Sequence, residues 1–287
     1  MFRYRGFRSS LCVVCVLCLS LFILTVPAPA WQVAQPPERP DDHQHMHGMD
    51  MEMNLPSGVT DHCGPRFTYD DGPRGPSHWD GACNTGHTQS PIDITKAEQM
   101  PVPPLAPLLM SYQSADLDMV NACNQYVVKL RFPDNKWLRV ARKPYRLSEI
   151  VFREPGETAI NGKRPVMSLQ FVHLSPELSL LVIEVPIVAG KENPIIKTLW
   201  KHIPQGGKED KPEGVKINPI DLLPADHGFY FYRGSQTTPA CNEGAMWYVM
   251  KNPIEISEGQ IAQYKKYYHN TARPLQPVGE RPVVESK

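Results

Sequence analysis

By residue type alone, the side chains best suited to bind a metal lie in a short stretch near the N-terminus. Three histidines, His43, His45 and His47, stand among methionines at positions 46, 49, 51 and 53. Imidazole and thioether donors suit copper, so this stretch could hold a copper ion. The alternative is a flexible linker of biased composition, which the sequence favours because nothing around the cluster fixes a ligand geometry.

The first 30 residues have the pattern of a secretory signal peptide. Arg3, Arg5 and Arg8 precede an apolar run over 11–26, and residues 28–30 (Ala-Pro-Ala) match a small-residue cleavage site. An uncleaved membrane anchor is the alternative, but the run is short for a hydrocarbon core of about 30 Å. We therefore expect an exported protein, periplasmic or extracellular, with no stable membrane span after the signal is cleaved.

Cysteine usage agrees with export. Three of the seven cysteines lie within the apolar run and would leave with it. Four remain in the mature chain, Cys63, Cys83, Cys123 and Cys241. An even number in an oxidising compartment predicts two disulfides, for which three pairings are open.

Composition divides the chain into a signal peptide (1–30), a linker (31–60) and one domain (61–287). The linker is rich in proline, polar and without periodicity, which predicts disorder. The domain is long enough to bury a substantial core. Because 30 Lys and Arg balance 30 Asp and Glu, charge gives no reason to expect a nucleic-acid partner.

The elements that would position any site in this domain are mostly strands. β-Branched or alternating runs cover 126–132, 137–140, 167–172 and 178–188, and turn residues separate them. Helical patterns cover 194–202 and 257–268, the second beginning at a possible N-cap, Ser257. The sequence thus predicts a mainly β domain with a few surface helices.

Three parts of the domain resemble one enzyme family, the α-class carbonic anhydrases. The resemblance runs in the expected order over about residues 63–285 and is more specific than one short motif. It implies the family's fold, a large twisted and mostly antiparallel sheet with a conical active-site cleft. The matching stretches are 69–79 with 83–94, then Leu222 to Pro224 with 234–241 and Trp247, and finally 270–276 with 281–283.

The resemblance also implies a disulfide. In secreted members, a cysteine before the Gln-Ser-Pro-Ile motif pairs with one that closes the Thr-Thr-Pro loop, which are Cys83 and Cys241 here. Cys63 and Cys123 would then form a second pair. The family places its N-terminal segment near the cleft rim, where such a pair is geometrically sensible.

The family's catalysis needs zinc held by three histidines, and this chain has none at the corresponding positions. The resemblance places the zinc ligands at Val151, Arg153 and Gln170. Val151 has no donor atom, Arg153 is a permanent cation, and Gln170 offers only a weak amide oxygen. Zinc is the cofactor of the family, and we therefore expect this protein to have no cofactor. The register needs no gap and is anchored by Phe152, Pro155, Glu157, 160–163 and 171–173.

The supporting positions of the family's site have changed as well. The carboxylate that orients the third histidine corresponds to Ser168, the proton-shuttle histidine to Asn124, and an apolar residue of the CO2 pocket to Gln236. Thr237 and Glu157 do match the hydroxyl and carboxylate that orient the zinc-bound hydroxide. We interpret them as structural survivors and expect no catalytic residue.

Several functions are compatible with this sequence. The protein could be a binding or structural module without CO2 hydration, with an unknown protein, a glycan or a small anion as its partner. Alternatively, it could be an active zinc carbonic anhydrase with an unconventional metal site. A cleft without zinc could bind a carboxylate or bicarbonate-sized anion through Arg153, Gln170 and Thr237. An Arg153–Glu157 ion pair could instead plug the empty position.

Overall fold

β-Strands make up most of the regular structure. A computed structural model of the protein describes residues 67–99, 107–121, 126–130, 138–204 and 208–286. In chain order, its strands are β1 (Asp93–Ile94), β2 (Glu98–Gln99), β3 (Leu109–Met110), β4 (Ala115–Asn121), β5 (Tyr126–Leu130), β6 (Leu138–Val140), β7 (Lys143–Arg153), β8 (Ala159–Ile160), β9 (Met167–Leu174), β10 (Leu180–Ala189), β11 (Glu209–Asp210), β12 (Lys216–Ile217), β13 (Phe229–Ser235), β14 (Glu243–Met250), β15 (Ile254–Ile256) and β16 (Val284–Glu285).

Within these ranges, fourteen strands form one large sheet, and β1 pairs with β8 apart from it. The main path of the sheet runs β11-β4-β5-β7-β9-β10-β14-β13-β16-β2. Its pairs are antiparallel except for β10–β14, β10–β15 and β16–β2. The predicted fold class, a large and mostly antiparallel sheet, is confirmed.

The four predicted strand runs correspond to β5, β6, β9 and β10, with ends shifted by a few residues. The sequence does not predict the longest strand, β7. Its buried residues alternate at Tyr145 and Leu147, and then the register shifts between Leu147 and Glu149. Beyond that irregularity, Ile150 to Arg153 are all buried, so the strand never shows a clean period of two.

Three helices lie among the described residues, α1 (Ala82–Thr85), α2 (Pro194–Lys201) and α3 (Glu258–Lys265), with 3-10 turns at Pro76–His78 and Pro219–Leu222. The two predicted helices, α2 and α3, are confirmed. Asn193 caps α2 by accepting hydrogen bonds from two backbone amides. Ser257 caps α3 in a reciprocal arrangement with Gln260, so the predicted N-cap is confirmed. None of the described helices is long and apolar enough to cross a membrane.

The helices α2 and α3 cover the face of β7 that points away from the predicted site. Phe152 packs against Trp200 of α2 with ring centroids 4.8 Å apart. The hydroxyl of Tyr264 in α3 donates a hydrogen bond to the Phe152 carbonyl over 3.1 Å. Since neighbouring residues of a strand point to opposite faces, this core contact directs Val151 and Arg153 to the other side of the sheet.

One disulfide joins the segment before β1 to the loop after β13. Cys83 and Cys241 are bonded, which confirms the pairing that the family resemblance implies. The bond links residues 158 positions apart in the sequence, and closing so long a loop typically contributes about 2–5 kcal/mol to stability. The predicted second pair, Cys63 and Cys123, lies outside the described residues, as do Asn124 and the His43, His45 and His47 cluster.

Candidate functional site

Val151, Arg153 and Gln170 lie together on one face of two adjacent strands. Val151 and Arg153 are two residues apart on β7, and Gln170 of β9 is the ladder partner of Val151. All three line a pocket of about 110 Å³. The rest of its lining consists of Glu149, Val172, Leu180, Val182, Gln236, Thr237, Thr238 and Trp247.

The guanidinium of Arg153 occupies the floor of this pocket, with only 3 % of the residue exposed. Its Nη1 donates to the Tyr69 hydroxyl over 2.6 Å and to the Thr271 carbonyl over 3.2 Å. Its Nε donates to Oε1 of Gln170 over 3.3 Å. Burial by itself lowers the pKa of Arg153, but the neighbouring Tyr69 and Glu157 raise it above its ordinary value. The pocket floor therefore holds a fixed positive charge.

Glu157 balances that charge from within the protein. Its carboxylate is fully buried and lies 3.8 Å from Nε of Arg153. It accepts hydrogen bonds from the Gln170 amide over 2.5 Å and from the Arg273 backbone N–H over 3.2 Å. Among the described residues, the Glu157 carboxylate thus accepts from Gln170 and Arg273 and receives no hydrogen bond from Thr237. Thr237 lines the pocket without that contact.

A second buried carboxyl group, Glu184, lies opposite Gln170 in the β9–β10 ladder. Thr158 donates to it from its hydroxyl and its backbone N–H, and Glu157 donates from its backbone N–H. Burial raises the pKa of Glu184, and repulsion from Glu157 raises it further. The sequence analysis missed this residue, although it is the one charged side chain in the apolar run of β10 and could have been found by that signal.

The remaining predicted positions are spread around the pocket. Ser168 is buried beside the same carboxyl groups, and its hydroxyl accepts from the Glu157 backbone N–H over 3.4 Å. Gln236 lines the pocket mouth with Thr237. Tyr69, which the sequence analysis did not single out, contributes the shortest contact to Arg153. Burial raises the pKa of the Tyr69 hydroxyl, which therefore stays protonated.

The stretches that carry the family resemblance converge beside this pocket. Arg273 donates to the Gln89 side chain over 2.8 Å, to the Ser90 carbonyl over 2.9 Å and to the Cys83 carbonyl over 3.1 Å. Ser90 and Ser235 are joined through backbone and hydroxyl in both directions. These contacts tie the Gln-Ser-Pro segment to the C-terminal stretch and to the Thr-Thr-Pro loop, so they explain the local sequence pattern without any catalytic role.

His173 is buried in the sheet and does not line the Arg153 pocket. Its Nδ1 lies 2.9 Å from the Phe171 carbonyl, which can only accept, so Nδ1 carries the proton. Its Nε2 then accepts from the Tyr112 hydroxyl over 2.8 Å. Burial lowers the pKa of His173 to about 4, against the opposing effect of the Phe171 hydrogen bond.

We expect His173 to make folding sensitive to acid. Above the unfolded pKa of about 6.5 the ring is neutral in both states, and its contribution to stability is complete. As the pH falls from about 6.5 to about 4, the unfolded chain takes up a proton that the native chain refuses, which costs about 3 kcal/mol in total. Urea unfolding at pH 7, 6, 5 and 4 measures the slope. His173→Gln should flatten it, and equal slopes for both proteins would show this assignment to be wrong.

Zinc is the metal that the family resemblance implies, and the side chains of this pocket do not fit it. Zinc sites use imidazole, thiolate and carboxylate ligands, of which Val151, Arg153 and Gln170 supply none. The one acceptor oxygen of Gln170 already receives the Arg153 hydrogen bond. Across the described residues, no group of three or more His, Cys, Asp or Glu side chains is arranged to hold a metal ion.

Comparison with known proteins gives consistent matches. Residues 74–287 match the family described as eukaryotic-type carbonic anhydrase. A carbonic anhydrase from Nostoc sp. is 34% identical over 221 residues, covering 74% of this chain and 83% of that protein. Dioscorin DB3S from Dioscorea polystachya is 31% identical over 231 residues, covering 76% and 85%. The structure of the Photobacterium profundum α-carbonic anhydrase superposes with a TM-score of 0.71 at 34% identity, covering 76% of this chain and 99% of that one.

Proposed function

Because the chain belongs to the eukaryotic-type carbonic anhydrase family, we propose that it is an exported member that does not hydrate CO2 and acts as a binding module. The observation that carries this proposal is the guanidinium of Arg153 on the pocket floor, hydrogen-bonded to Gln170 and 3.8 Å from Glu157. Val151, Arg153 and Gln170 are the former zinc-ligand positions in this proposal.

The positive charge of Arg153 would repel a divalent cation bound beside it in the pocket. Two like charges about 4 Å apart repel by about 4 kcal/mol per unit charge at an effective dielectric of 20. The hydrogen bonds to Tyr69, Thr271 and Gln170 also hold the guanidinium in position, so it cannot swing aside without losing buried partners. Arg153 and Glu157 therefore replace the metal with an internal ion pair.

An anion in the pocket is less well supported than this ion pair. The donors of Arg153 on Nε and Nη1 already have protein acceptors, and Glu157 neutralises its charge nearby. Binding through Arg153, Gln170 and Thr237 would need these contacts to break, so we place the binding function on another surface.

The alternative is an active enzyme with an unconventional metal site, and relatives named carbonic anhydrase favour it. Hydration of CO2 by the purified protein, produced with added zinc and followed by stopped-flow pH change, separates the two. We expect the rate to equal that of buffer alone at micromolar protein. Catalysis that rises in proportion to protein concentration, and that a chelator removes, would refute the proposal.

Export is the other part of the proposal. It is supported by the signal-like N-terminus and by the Cys83–Cys241 disulfide, since such bonds persist in oxidising compartments. A periplasmic or extracellular location follows. Cell fractionation of the tagged full-length chain would place it, and a cytoplasmic protein with unprocessed N-terminus would contradict this part.

A further inference from the structure

A groove at the far end of β7 is rich in arginine. It is formed by the β6–β7 hairpin and the β9–β10 connection and shares no residue with the Arg153 pocket. Since a strand rises about 3.3 Å per residue, Arg146 lies about 23 Å along β7 from Arg153. The groove, called here the arginine groove, has a volume of about 480 Å³ and is lined by Arg139, Arg142, Pro144, Arg146, Leu174, Ser175, Pro176 and Leu178.

Three positive charges meet in the arginine groove. Arg139 and Arg146 project from β6 and β7, and Arg142 sits in the turn between these strands. All three are exposed, and none has an ion pair with a carboxylate of the described residues. Lys143 is exposed but does not line the groove, and it lies near the acidic side chain of Glu177. Because the whole chain has a net charge of zero, these three arginines are a local excess of positive charge.

Apolar side chains are interleaved with these arginines. Leu178 is 76 % exposed on one side of the groove. Leu109 of β3 is 59 % exposed and is the ladder partner of Arg139. Leu174 is the ladder partner of Arg146 and contributes to the floor. The surface is therefore a mixture of guanidinium groups and exposed leucines, the composition of a binding surface rather than of a solvated face.

Backbone conformation gives an independent indication at two of these positions. Arg142 has φ +68° and Leu178 has φ +62°, a left-handed conformation that favours glycine and asparagine. The two-residue turn Ala141–Arg142 between paired β6 and β7 would be better served by Asn-Gly. Local stability does not explain an arginine and a leucine here. Of the left-handed residues in this part of the surface, Arg142 and Leu178 both line the groove, whereas the neighbouring Ala141 does not.

The chemistry of the groove favours an acidic peptide over other polyanions. Arginine forms bidentate hydrogen bonds with carboxylates, and the leucines and prolines offer contacts to apolar side chains. The groove lining contains no aromatic side chain, the residue type on which nucleic-acid bases stack. We propose that the arginine groove binds an acidic segment of a partner protein that also carries apolar residues. This inference names the partner class of the proposed binding module and rests on that proposed function.

A peptide-binding experiment on the mature protein tests the inference. The probe is a fluorescein-labelled ten-residue peptide of alternating glutamate and leucine, followed by fluorescence anisotropy. Parallel probes are a glutamate–serine peptide, a lysine–leucine peptide and a heparin octasaccharide. We expect the glutamate–leucine peptide to bind at least about tenfold more tightly than the three others, because only it matches both features of the groove.

Variants locate the binding on the protein. R139Q/R142Q/R146Q should weaken binding of the glutamate–leucine peptide by at least about tenfold, because three cationic donors are lost. The matched control K191Q/K201Q/K266Q removes three exposed charges elsewhere and should change binding by less than about twofold. Arg142→Gly should weaken binding while leaving the melting temperature equal or higher, a combination that a merely structural arginine would not produce.

The outcomes that overturn the inference are specific. Equal affinity of the arginine-groove triple variant and wild type would remove it, as would equal weakening by the lysine control. Tighter binding of heparin than of the peptide would assign the groove to a glycan, and equal binding of the two acidic peptides would reduce it to nonspecific charge. A CO2 hydration assay on the same preparations keeps the proposed function separate. CO2 hydration would refute the proposed function, whereas a failure to bind the glutamate–leucine peptide would refute only the inference about the arginine groove.

Discussion

Replacement of Arg153 by methionine is expected to lower the free energy of unfolding by about 3–5 kcal/mol, the usual cost of removing one partner of a buried ion pair. Methionine fills much of the same volume but leaves the buried Glu157 carboxylate without its ion-pair partner. It also leaves the Thr271 carbonyl without its Arg153 donor. Urea unfolding at pH 7, followed by tryptophan fluorescence, measures the loss.

The control for this prediction removes both charges together. The double variant R153M/E157Q no longer holds an unpaired buried charge, and its stability should recover by about 2 kcal/mol or more from that of Arg153→Met. Glutamine can still accept from the Arg273 backbone N–H, as Glu157 does. A single variant within about 1 kcal/mol of wild type would mean that the ion pair does not neutralise the pocket floor.

The variant V151H/R153H/Q170H is expected to gain stoichiometric zinc binding that the wild type lacks. The three positions share one face of β7 and β9, and 151 and 170 are ladder partners, so three imidazoles would converge there. The change also removes the opposing charge of Arg153. Without a carboxylate at Ser168 to orient the third imidazole, affinity should be about 10–100-fold below that of a complete site. Competition with a zinc-sensitive chelating dye measures it.

A two-histidine variant provides the matched comparison. V151H/Q170H keeps Arg153 in the pocket and supplies only two imidazoles, so we expect its zinc affinity to fall at least about 100-fold below that of the triple variant. Circular dichroism checks that both variants are folded. A folded triple variant that binds zinc no better than the two-histidine variant would show that the assignment of these positions is wrong.

Much of the framework of this site could be predicted from the sequence, because its helices and strands have local sequence signals. The helices α2 and α3 have helical sequence patterns, and Ser257 is a recognisable N-cap of α3. The strand β9 has an alternating pattern, and β10 has an apolar run. The grouping of Val151, Arg153 and Gln170 follows from a register that the flanking motif fixes. A two-residue spacing on one strand and one ladder partner on the next then bring the side chains together.

What could not be predicted depends on contacts between distant parts of the chain. Tyr69 reaches Arg153 across 84 positions, and Arg273 donates to Glu157 across 116. Neither contact has a local pattern, because both are set by the closure of the whole sheet. The left-handed residues Arg142 and Leu178 are equally unpredictable, since a sequence rule would place glycine or asparagine at such positions. These are also the residues from which the functional proposals arise.

The two surfaces of the domain thus have opposite character. The floor of the Arg153 pocket is occupied by an internal ion pair, with Arg153 and Glu157 both buried. The arginine groove at the other end of β7 is open, charged and without internal partners among the described carboxylates. The two places lie at opposite ends of β7 and share no lining residue.

The most direct test of this account is the zinc content of the wild-type protein purified from zinc-supplemented cells, measured by inductively coupled plasma mass spectrometry. A variant with His43, His45 and His47 replaced by alanine is measured alongside, so that metal on the N-terminal cluster is not counted. The account predicts less than about 0.1 zinc per chain in that variant, because no three His, Cys, Asp or Glu side chains of the described residues are arranged to hold a metal ion. About one zinc per chain in both proteins, retained through gel filtration, would contradict it.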